Sequence, residues 1–121
     1  MKTCLIVDDS RMIRKVASRI LKELQFNLEE AENGKIALEQ CGSEMPDAIL
    51  LDWNMPVMDG ITFLKALRKT PDGDKPVVVF CTAEREKNKI IEALDAGADE
   101  YIMKPFDSDI VESKFYQVGL I

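Results

Sequence analysis

The stretch DAILLDWNMPVMDG, residues 47–60, decides the fold and poses the first functional question. Ala48 to Leu51 is an unbroken apolar run, which is typical of a strand buried on both faces of a parallel sheet. The run ends on a carboxylate, Asp52, and a Trp-Asn-Met-Pro loop follows it. A strand this apolar that delivers an acid to its end suggests that the acid has a chemical task.

Short apolar runs alternate with amphipathic stretches along the rest of the chain. We predict strands at residues 3–7, 26–31, 48–51, 77–81 and 100–103. We predict helices from Ser10 to Leu24, from Asn33 to about Cys41, and over residues 61–69, 84–96 and 107–117. Strict alternation implies a parallel sheet with helices on both faces. The acids Glu29 and Glu30 place the second strand at an edge of that sheet.

The composition bounds the class of protein. The chain has 121 residues, 46% hydrophobic and 31% charged, which indicates one globular domain. The net charge of −6 argues against nonspecific binding of nucleic acid, which needs a basic surface. The spacing of Cys4, Cys41 and Cys81 fits no zinc site and suits a reducing compartment, and we interpret Cys4 and Cys81, which lie in apolar strand-like runs, as small buried hydrophobes. No apolar run approaches membrane-spanning length, so we expect a cytoplasmic protein.

Polar side chains follow four of the five predicted strands. The first strand is followed by Asp8 and Asp9, the third by Asp52, the fourth by Thr82 and the fifth by Lys104. Parallel strands end at one edge, so these groups converge if the first and third strands are neighbours. Each has a plainer interpretation alone, because acids after strands are often helix caps or turn residues. The coincidence at four strand ends favours a site.

The assortment of groups points to phosphoryl chemistry with magnesium. Crowded carboxylates raise one another's pKa unless a cation intervenes, and acid-rich oxygen sites suit Mg²⁺. The chain contains no histidine, which excludes a histidine-based metal site or catalytic base. A carboxylate can attack phosphorus to form an aspartyl phosphate, while Mg²⁺ and a lysine neutralise the phosphoryl oxygens. We therefore predict that Asp52 is a nucleophile at a metal site, with Lys104 beside it.

Four motifs carry a resemblance to a known family. VDDS, LDWNMPVMDG, FCTAE and YIMKPF resemble the receiver domains of bacterial two-component response regulators, especially the single-domain chemotaxis type. The resemblance covers essentially the whole chain, with the motifs in the family's order and spacing. It implies one receiver domain over residues 1–121 without an output domain. It also implies a flavodoxin-like three-layer sandwich, with five strands in the order 2-1-3-4-5, five helices and a cis bond between Lys104 and Pro105.

The resemblance assigns the phosphoryl and metal site residue by residue. It makes Asp52 the phosphoacceptor and Lys104 the lysine that binds the phosphoryl group. Asp8 and Asp9 match the acid pair that holds Mg²⁺ together with Asp52, and the backbone carbonyl of Asn54 completes the metal site.

The resemblance also assigns residues that read and time the signal. Thr82 matches a switch hydroxyl that moves to the phosphoryl group, and Tyr101 matches an aromatic switch residue. Asn54 and Glu84 match positions that shape water access to the phosphoryl group and so set its lifetime. Both residues are polar in this chain and can orient an attacking water, which predicts a short phosphoryl lifetime.

The implied function is signalling and not turnover of a substrate. The resemblance implies a monomer that takes a phosphoryl group from a histidine kinase or phosphotransfer protein, and that catalyses only its own phosphorylation and dephosphorylation. A separate target protein would bind the face of helix 4, strand 5 and helix 5, around Lys87, Asn88, Tyr101 and Met103. Chemotaxis or motility is the process it favours. A phosphorelay intermediate and a phosphate sink remain alternatives.

Two rivals from other classes fit the residues less well. A phosphohydrolase of the haloacid dehalogenase type needs an acid two residues after its nucleophile, where this chain has Asn54. A flavin or dinucleotide binder needs a Gly- or Ser/Thr-rich phosphate loop, where this chain has DDSR.

The first helix also carries a basic stripe, which is either a solvated face or a docking site for an acidic kinase surface. The stripe consists of Arg11, Arg14, Lys15, Arg19 and Lys22.

Overall fold

The computed structural model describes residues 1–83 and 87–121, and these form five strands and five helices. The strands are β1 (Thr3–Val7), β2 (Asn27–Ala31), β3 (Ala48–Asp52), β4 (Val77–Thr82) and β5 (Glu100–Met103). The helices are α1 (Arg11–Glu23), α2 (Gly34–Ser43), α3 (Gly60–Arg68), α4 (Lys87–Asp95) and α5 (Ser108–Gln117). None of these helices has the length and apolar character that crossing a bilayer requires.

All strand pairings are parallel, in the order β2-β1-β3-β4-β5, which confirms the expected topology. Both β3 and β4 are one residue longer than predicted. Asp52 pairs with Cys81, and Thr82 pairs with Met103, so the ladder continues past the last apolar residue of each strand. Two functional candidates are therefore held by sheet hydrogen bonding and not by loops.

The helices cover the sheet in two layers, each with its own core. Ile49 and Leu51 of β3 face the layer of α2, α3 and α4, where Phe63 is fully buried. Leu50 faces the layer of α1 and α5, where Phe115 is fully buried. Because successive strand residues point to opposite faces, a strand covered on both sides must be apolar throughout. This is the origin of the run that identified β3.

The three cysteines are free and buried, which confirms the interpretation of Cys4 and Cys81 and adds Cys41 to the core. Burial raises the pKa of the Cys4 thiol to about 12 and that of Cys41 to about 11. Neither forms the reactive thiolate near neutral pH, so their contribution is packing.

The last helix ends in a left-handed turn that returns the chain to the core. Gly119 has a φ of +81°, and its amide donates to the carbonyl of Tyr116 at 3.1 Å. The amide of Leu120 donates to the carbonyl of Phe115 at 2.9 Å. This pair of bonds is a Schellman motif, in which glycine avoids the cost of a positive φ. It buries Leu120 against the α1 and α5 layer.

Arg68, at the end of α3, joins the two loops that precede β4 and β5, at the amino ends of these strands. Its guanidinium donates to the carbonyls of Gly73 at 2.9 Å and Pro76 at 2.8 Å, and to that of Gly97 at 2.6 and 3.1 Å. It also pairs with the Asp99 carboxylate at 3.2 Å. Those carbonyls lack partners in regular secondary structure, so one planar side chain with five donors satisfies them.

Candidate functional site

The groups that follow the strands converge at the carboxyl edge of the sheet. Strands β1 and β3 are neighbours, which was the condition for convergence. Asp8, Asp9 and Asp52 each offer a carboxylate oxygen, and the three oxygens lie within 4.8 Å of one another. Asp8 and Asp52 are buried and Asp9 is exposed. The cleft therefore has a protected wall and one side open to water.

Lys104 lies between two of the three acids. Its ammonium donates to Asp8 Oδ2 and to Asp52 Oδ1, both at 2.9 Å. The Lys104 side chain is 18% exposed, and those of the two acids are 4% and 8% exposed. Burial alone would lower the pKa of Lys104, but its hydrogen bonds to the two carboxylates outweigh burial and raise that pKa. The ammonium is therefore charged throughout the physiological range.

One lysine does not balance three carboxylates. Burial raises the pKa of Asp52, the charges of Asp8 and Asp9 raise it further, and Lys104 opposes both effects. Three ionised acids and one ammonium leave a formal charge of about −2 in the cleft. This is the crowding that the sequence predicted, and a divalent cation would remove it.

The donor set fits Mg²⁺. The ion prefers oxygen ligands and keeps several waters, so it needs a partly open site with one or two carboxylates. Exposed Asp9 beside buried Asp8 and Asp52 provides such a site. Each carboxylate oxygen accepts more than one contact, so a bond from Lys104 does not exclude a metal.

The start of α1 holds Asp8 in place. The Asp8 amide donates to Ala31 on β2 at 3.1 Å, and Asp8 Oδ1 accepts the amide of Ser10 at 2.9 Å. Arg14 donates to the Asp8 carbonyl at 2.6 Å. The helix cap is Ser10, whose hydroxyl accepts the amide of Ile13 at 3.2 Å. Neither acid caps α1, so the helix-cap interpretation of Asp9 is wrong.

The loop after Asp52 is shaped by a glycine. The amide of Gly60 donates to the Trp53 carbonyl at 2.9 Å, which turns the chain back against β3. A Cβ at position 60 would overlap the carbonyl oxygen of Asp52 and lie 2.9 Å from Phe80. The MDG motif thus owes its glycine to a close backbone approach. Asp59 caps α3 by accepting the amide of Thr62 at 2.9 Å.

Trp53 packs below the site and Asn54 points outward. Trp53 is 8% exposed, with its ring centroid 5.0 Å from that of Phe80. The Lys89 ammonium of α4 lies 5.5 Å from the Trp53 ring, an arrangement that the sequence did not predict. Asn54 is exposed, where it can meet solvent that enters the cleft.

The two candidate switch residues lie on neighbouring strands, with Thr82 at the end of β4 and Tyr101 on β5, opposite Phe80. Thr82 is buried at the end of β4, and its carbonyl accepts the amide of Lys104 at 2.9 Å. Tyr101 is partly buried on β5, with the Lys114 ammonium 4.9 Å from its ring centroid. Glu84, the predicted lifetime residue, lies outside the described residues, as does the side chain of Lys87. The peptide bond before Pro105 is cis, as the resemblance implied.

Comparison with known proteins agrees with this geometry. The family described as the response regulator receiver domain matches residues 4–115. The chemotaxis protein CheY of Pseudomonas aeruginosa is 37% identical over 115 residues, covering 94% of this chain and 93% of that protein. CheY-3 of Vibrio cholerae is also 37% identical, with 94% and 88% covered.

Solved structures give the same result. CheY4 of Vibrio cholerae superposes with a TM-score of 0.92 at 32% identity, covering 98% of each chain. A complex from Borrelia burgdorferi, containing CheX, CheY, BeF₃ and Mg, matches with a TM-score of 0.91 at 29% identity, covering 97% of this chain and 88% of that one. With its acid cluster, bridging lysine and strand order, the chain belongs to the response regulator receiver domain family and is CheY-like.

Proposed function

We propose that the protein accepts a phosphoryl group on Asp52 from a histidine kinase or phosphotransfer protein, in a reaction that requires Mg²⁺. The observation that carries the proposal is the position of the Lys104 ammonium, 2.9 Å from both Asp8 and Asp52. A phosphoryl group in transfer needs positive charge beside its oxygens. The Lys104 ammonium at the nucleophile supplies one such charge, and the neighbouring acid cluster can bind a metal ion that supplies the rest.

Each residue has a defined task in this reaction. A carboxylate oxygen of Asp52 attacks phosphorus, and the bond from phosphorus to the donor breaks as the new bond forms. Burial leaves that carboxylate poorly solvated, which favours attack. Lys104 exchanges its contact with Asp52 for one with a phosphoryl oxygen. Asp8, Asp9, Asp52 and the Asn54 carbonyl would hold Mg²⁺, which supplies positive charge for the remaining phosphoryl oxygens.

Signalling follows through protein binding, and we place it in chemotaxis because relatives carry that name. Thr82 donates a hydrogen bond to the phosphoryl group, and Tyr101 turns inward. The face of α4, β5 and α5 changes as a result, and a separate target in the cytoplasm binds it more tightly. Asn54 and Glu84 set the lifetime of the phosphoryl group. We expect no catalysis beyond the protein's own phosphorylation and dephosphorylation.

The test is phosphorylation by acetyl phosphate with Mg²⁺, followed by mass measurement. We expect one phosphoryl group, on Asp52, absent without Mg²⁺ and in Asp52→Asn. Asp8→Asn should weaken Mg²⁺ binding, which Trp53 fluorescence reports. The exposed acid Asp74 supplies the control, because Asp74→Asn should behave like the wild type. Unchanged labelling of Asp52→Asn would exclude the assignment.

Partner binding separates output from the alternatives. A target that binds more tightly when beryllofluoride occupies the cleft supports signalling, and Thr82→Ala should weaken that preference. Phosphotransfer onward to a histidine protein would indicate a relay intermediate. A protein that is phosphorylated but binds no partner differently would be a phosphate sink.

A further inference from the structure

Arg14 of α1 joins the end of β1 to the edge strand β2. Its Nη1 donates to the backbone carbonyl of Asp8 at 2.6 Å, and its Nε donates to Glu30 Oε1 at 3.0 Å. The Arg14 side chain is 15% exposed, whereas the other basic residues of α1 are exposed to solvent. Arg14 therefore differs from the rest of the basic stripe, because its contacts lie within the domain.

The carbonyl that Arg14 binds belongs to the peptide that connects Asp8 to Asp9. The carboxylate of Asp8 is restrained directly, because it accepts hydrogen bonds from Ser10 and Lys104. The carboxylate of Asp9 is exposed, and among the described residues no hydrogen bond or ion pair restrains it. The direction of the Asp9 side chain thus depends on the backbone that carries it, and the bond from Arg14 fixes the peptide on one side.

Small displacements of Asp9 matter because two common divalent ions need oxygen clusters of different size. Mg²⁺ binds oxygens at about 2.1 Å in near-ideal octahedral geometry, so opposite ligands lie about 4.2 Å apart. Ca²⁺ accepts flexible geometry with oxygens at about 2.5 Å, so opposite ligands lie about 5 Å apart. The oxygens of Asp8, Asp9 and Asp52 lie within 4.8 Å of one another, a limit between these two values. A shift of less than about 1 Å in Asp9 therefore decides which ion the cluster fits.

We propose that Arg14 is a positioning residue that makes the acid cluster selective for Mg²⁺ over Ca²⁺. By holding the peptide between Asp8 and Asp9, it keeps the Asp9 carboxylate close enough to Asp52 for the compact coordination sphere of Mg²⁺. The inference rests on the metal requirement of the proposed function, and it adds the residue that sets the ion selectivity of that site.

The positive charge of Arg14 alone would have the opposite effect. A cation near a metal site repels the ion, so its removal would strengthen the binding of both ions if charge dominated. Glu30 already pairs with this charge at 3.0 Å, and the charges that act on the pKa of Asp52 are those of Lys104 and the other two acids. Arg14 therefore acts through geometry, and the sign of the change in Mg²⁺ affinity separates the two effects.

The test titrates the full chain with MgCl₂ and, separately, with CaCl₂, and follows the fluorescence of Trp53. We expect Arg14→Gln to weaken Mg²⁺ binding about tenfold, as is usual when a partner that orients a metal ligand is lost. Ca²⁺ binding should fall by about twofold or less, because Ca²⁺ tolerates irregular geometry. Arg14→Lys keeps one donor near the carbonyl and should recover part of the Mg²⁺ affinity. Lys15→Gln removes the same charge from an exposed neighbour and should leave both affinities unchanged.

Amide hydrogen exchange of the metal-free protein provides a second readout. The Ser10 amide donates to Asp8 Oδ1 at 2.9 Å, across the peptide that Arg14 holds. Arg14→Gln should speed the exchange of this amide several-fold, because the turn between β1 and α1 opens more often. Exchange within β3 should stay at the wild-type rate, since the change is confined to that turn.

Unchanged or tighter Mg²⁺ binding by Arg14→Gln would overturn the proposal. Equal losses of Mg²⁺ and Ca²⁺ affinity, or faster exchange throughout β3, would also overturn it, because either result indicates a general loosening of the domain. If Arg14→Gln does not fold by circular dichroism, Arg14→Lys decides, and Mg²⁺ binding as tight as in the wild type would then exclude the role. A wild-type protein that binds neither ion would remove the metal requirement of the proposed function as well.

Discussion

Gly60, at the start of α3, lies directly against the backbone of Asp52, with no room for a Cβ between them. We expect Gly60→Ala to cost about 2 kcal/mol or more of stability, since the obstacle is backbone that cannot move aside. It should also slow phosphorylation by displacing Asp52. Gly42→Ala is the matched control, because its Cβ meets nothing within 4 Å on an exposed part of α2. That change should stabilise by about 0.5–1 kcal/mol. Urea denaturation measures both, and equal effects would contradict this account of Gly60.

Asp52 should destabilise the metal-free protein at neutral pH. Burial raises its pKa in the folded state, so folding takes up a proton between the unfolded and folded pKa values. The loss of folding stability is therefore absent below the ordinary pKa of aspartate. It develops as the pH rises through the raised pKa of Asp52 in the folded state. Without Mg²⁺, Asp52→Asn should therefore have a free energy of unfolding about 1 kcal/mol higher than the wild type, as is common when active-site charge is removed. Its unfolding temperature should rise accordingly. The gain should disappear at low pH and shrink in Mg²⁺. A less stable Asp52→Asn at pH 7 would refute this.

Val57 has a φ of +70°, which is unfavourable for a β-branched residue, and its side chain is 77% exposed. A tight turn causes this, as the Met58 amide donates to the Pro56 carbonyl at 2.7 Å. Val57→Asn should stabilise the protein by about 1 kcal/mol, because asparagine tolerates positive φ and little packing is lost. Thermal unfolding is the measurement, and Val57→Ile, which keeps the branched Cβ, should give no gain. Equal stabilities for the two variants would contradict the strain.

Lys114 should oppose movement of Tyr101. Its ammonium lies 4.9 Å from the Tyr101 ring and 3.4 Å from the Glu100 carboxylate, which holds the ring in its present position. Removing the charge in Lys114→Gln should favour the inward position by about two- to fivefold, the usual strength of an exposed cation–π contact. Lys114→Arg keeps the charge and should retain most of the restraint. NMR of the Tyr101 ring tests this, and identical spectra for Lys114→Gln and the wild type would exclude it.

The sequence predicted what depends on periodicity and on strand ends. The apolar run before Asp52 identified β3, and strand ends located Asp8, Thr82 and Lys104. Strand order needed the family resemblance, because strict alternation is compatible with several orders. Contacts between distant segments were not predictable. The approach of Gly60 to β3 depends on the path of a loop, and no local pattern encodes it.

Arg68 gives the domain a mechanical asymmetry. By joining the loops before β4 and β5, it stiffens the base of the sheet, opposite the cleft. Its bonds to Gly97 also fix the point where α4 ends. A helix held at one end responds to a push at the other by rotating, as a lever does. For nine residues at 1.5 Å each, a tilt of about 5° moves the start of α4 by about 1 Å. Arg68→Gln should release this pivot, measured as faster amide exchange at Gly97 and Ala98. Under the proposed switch role of Thr82, we expect a change of its hydrogen bonding to tilt α4 about the end that Arg68 holds.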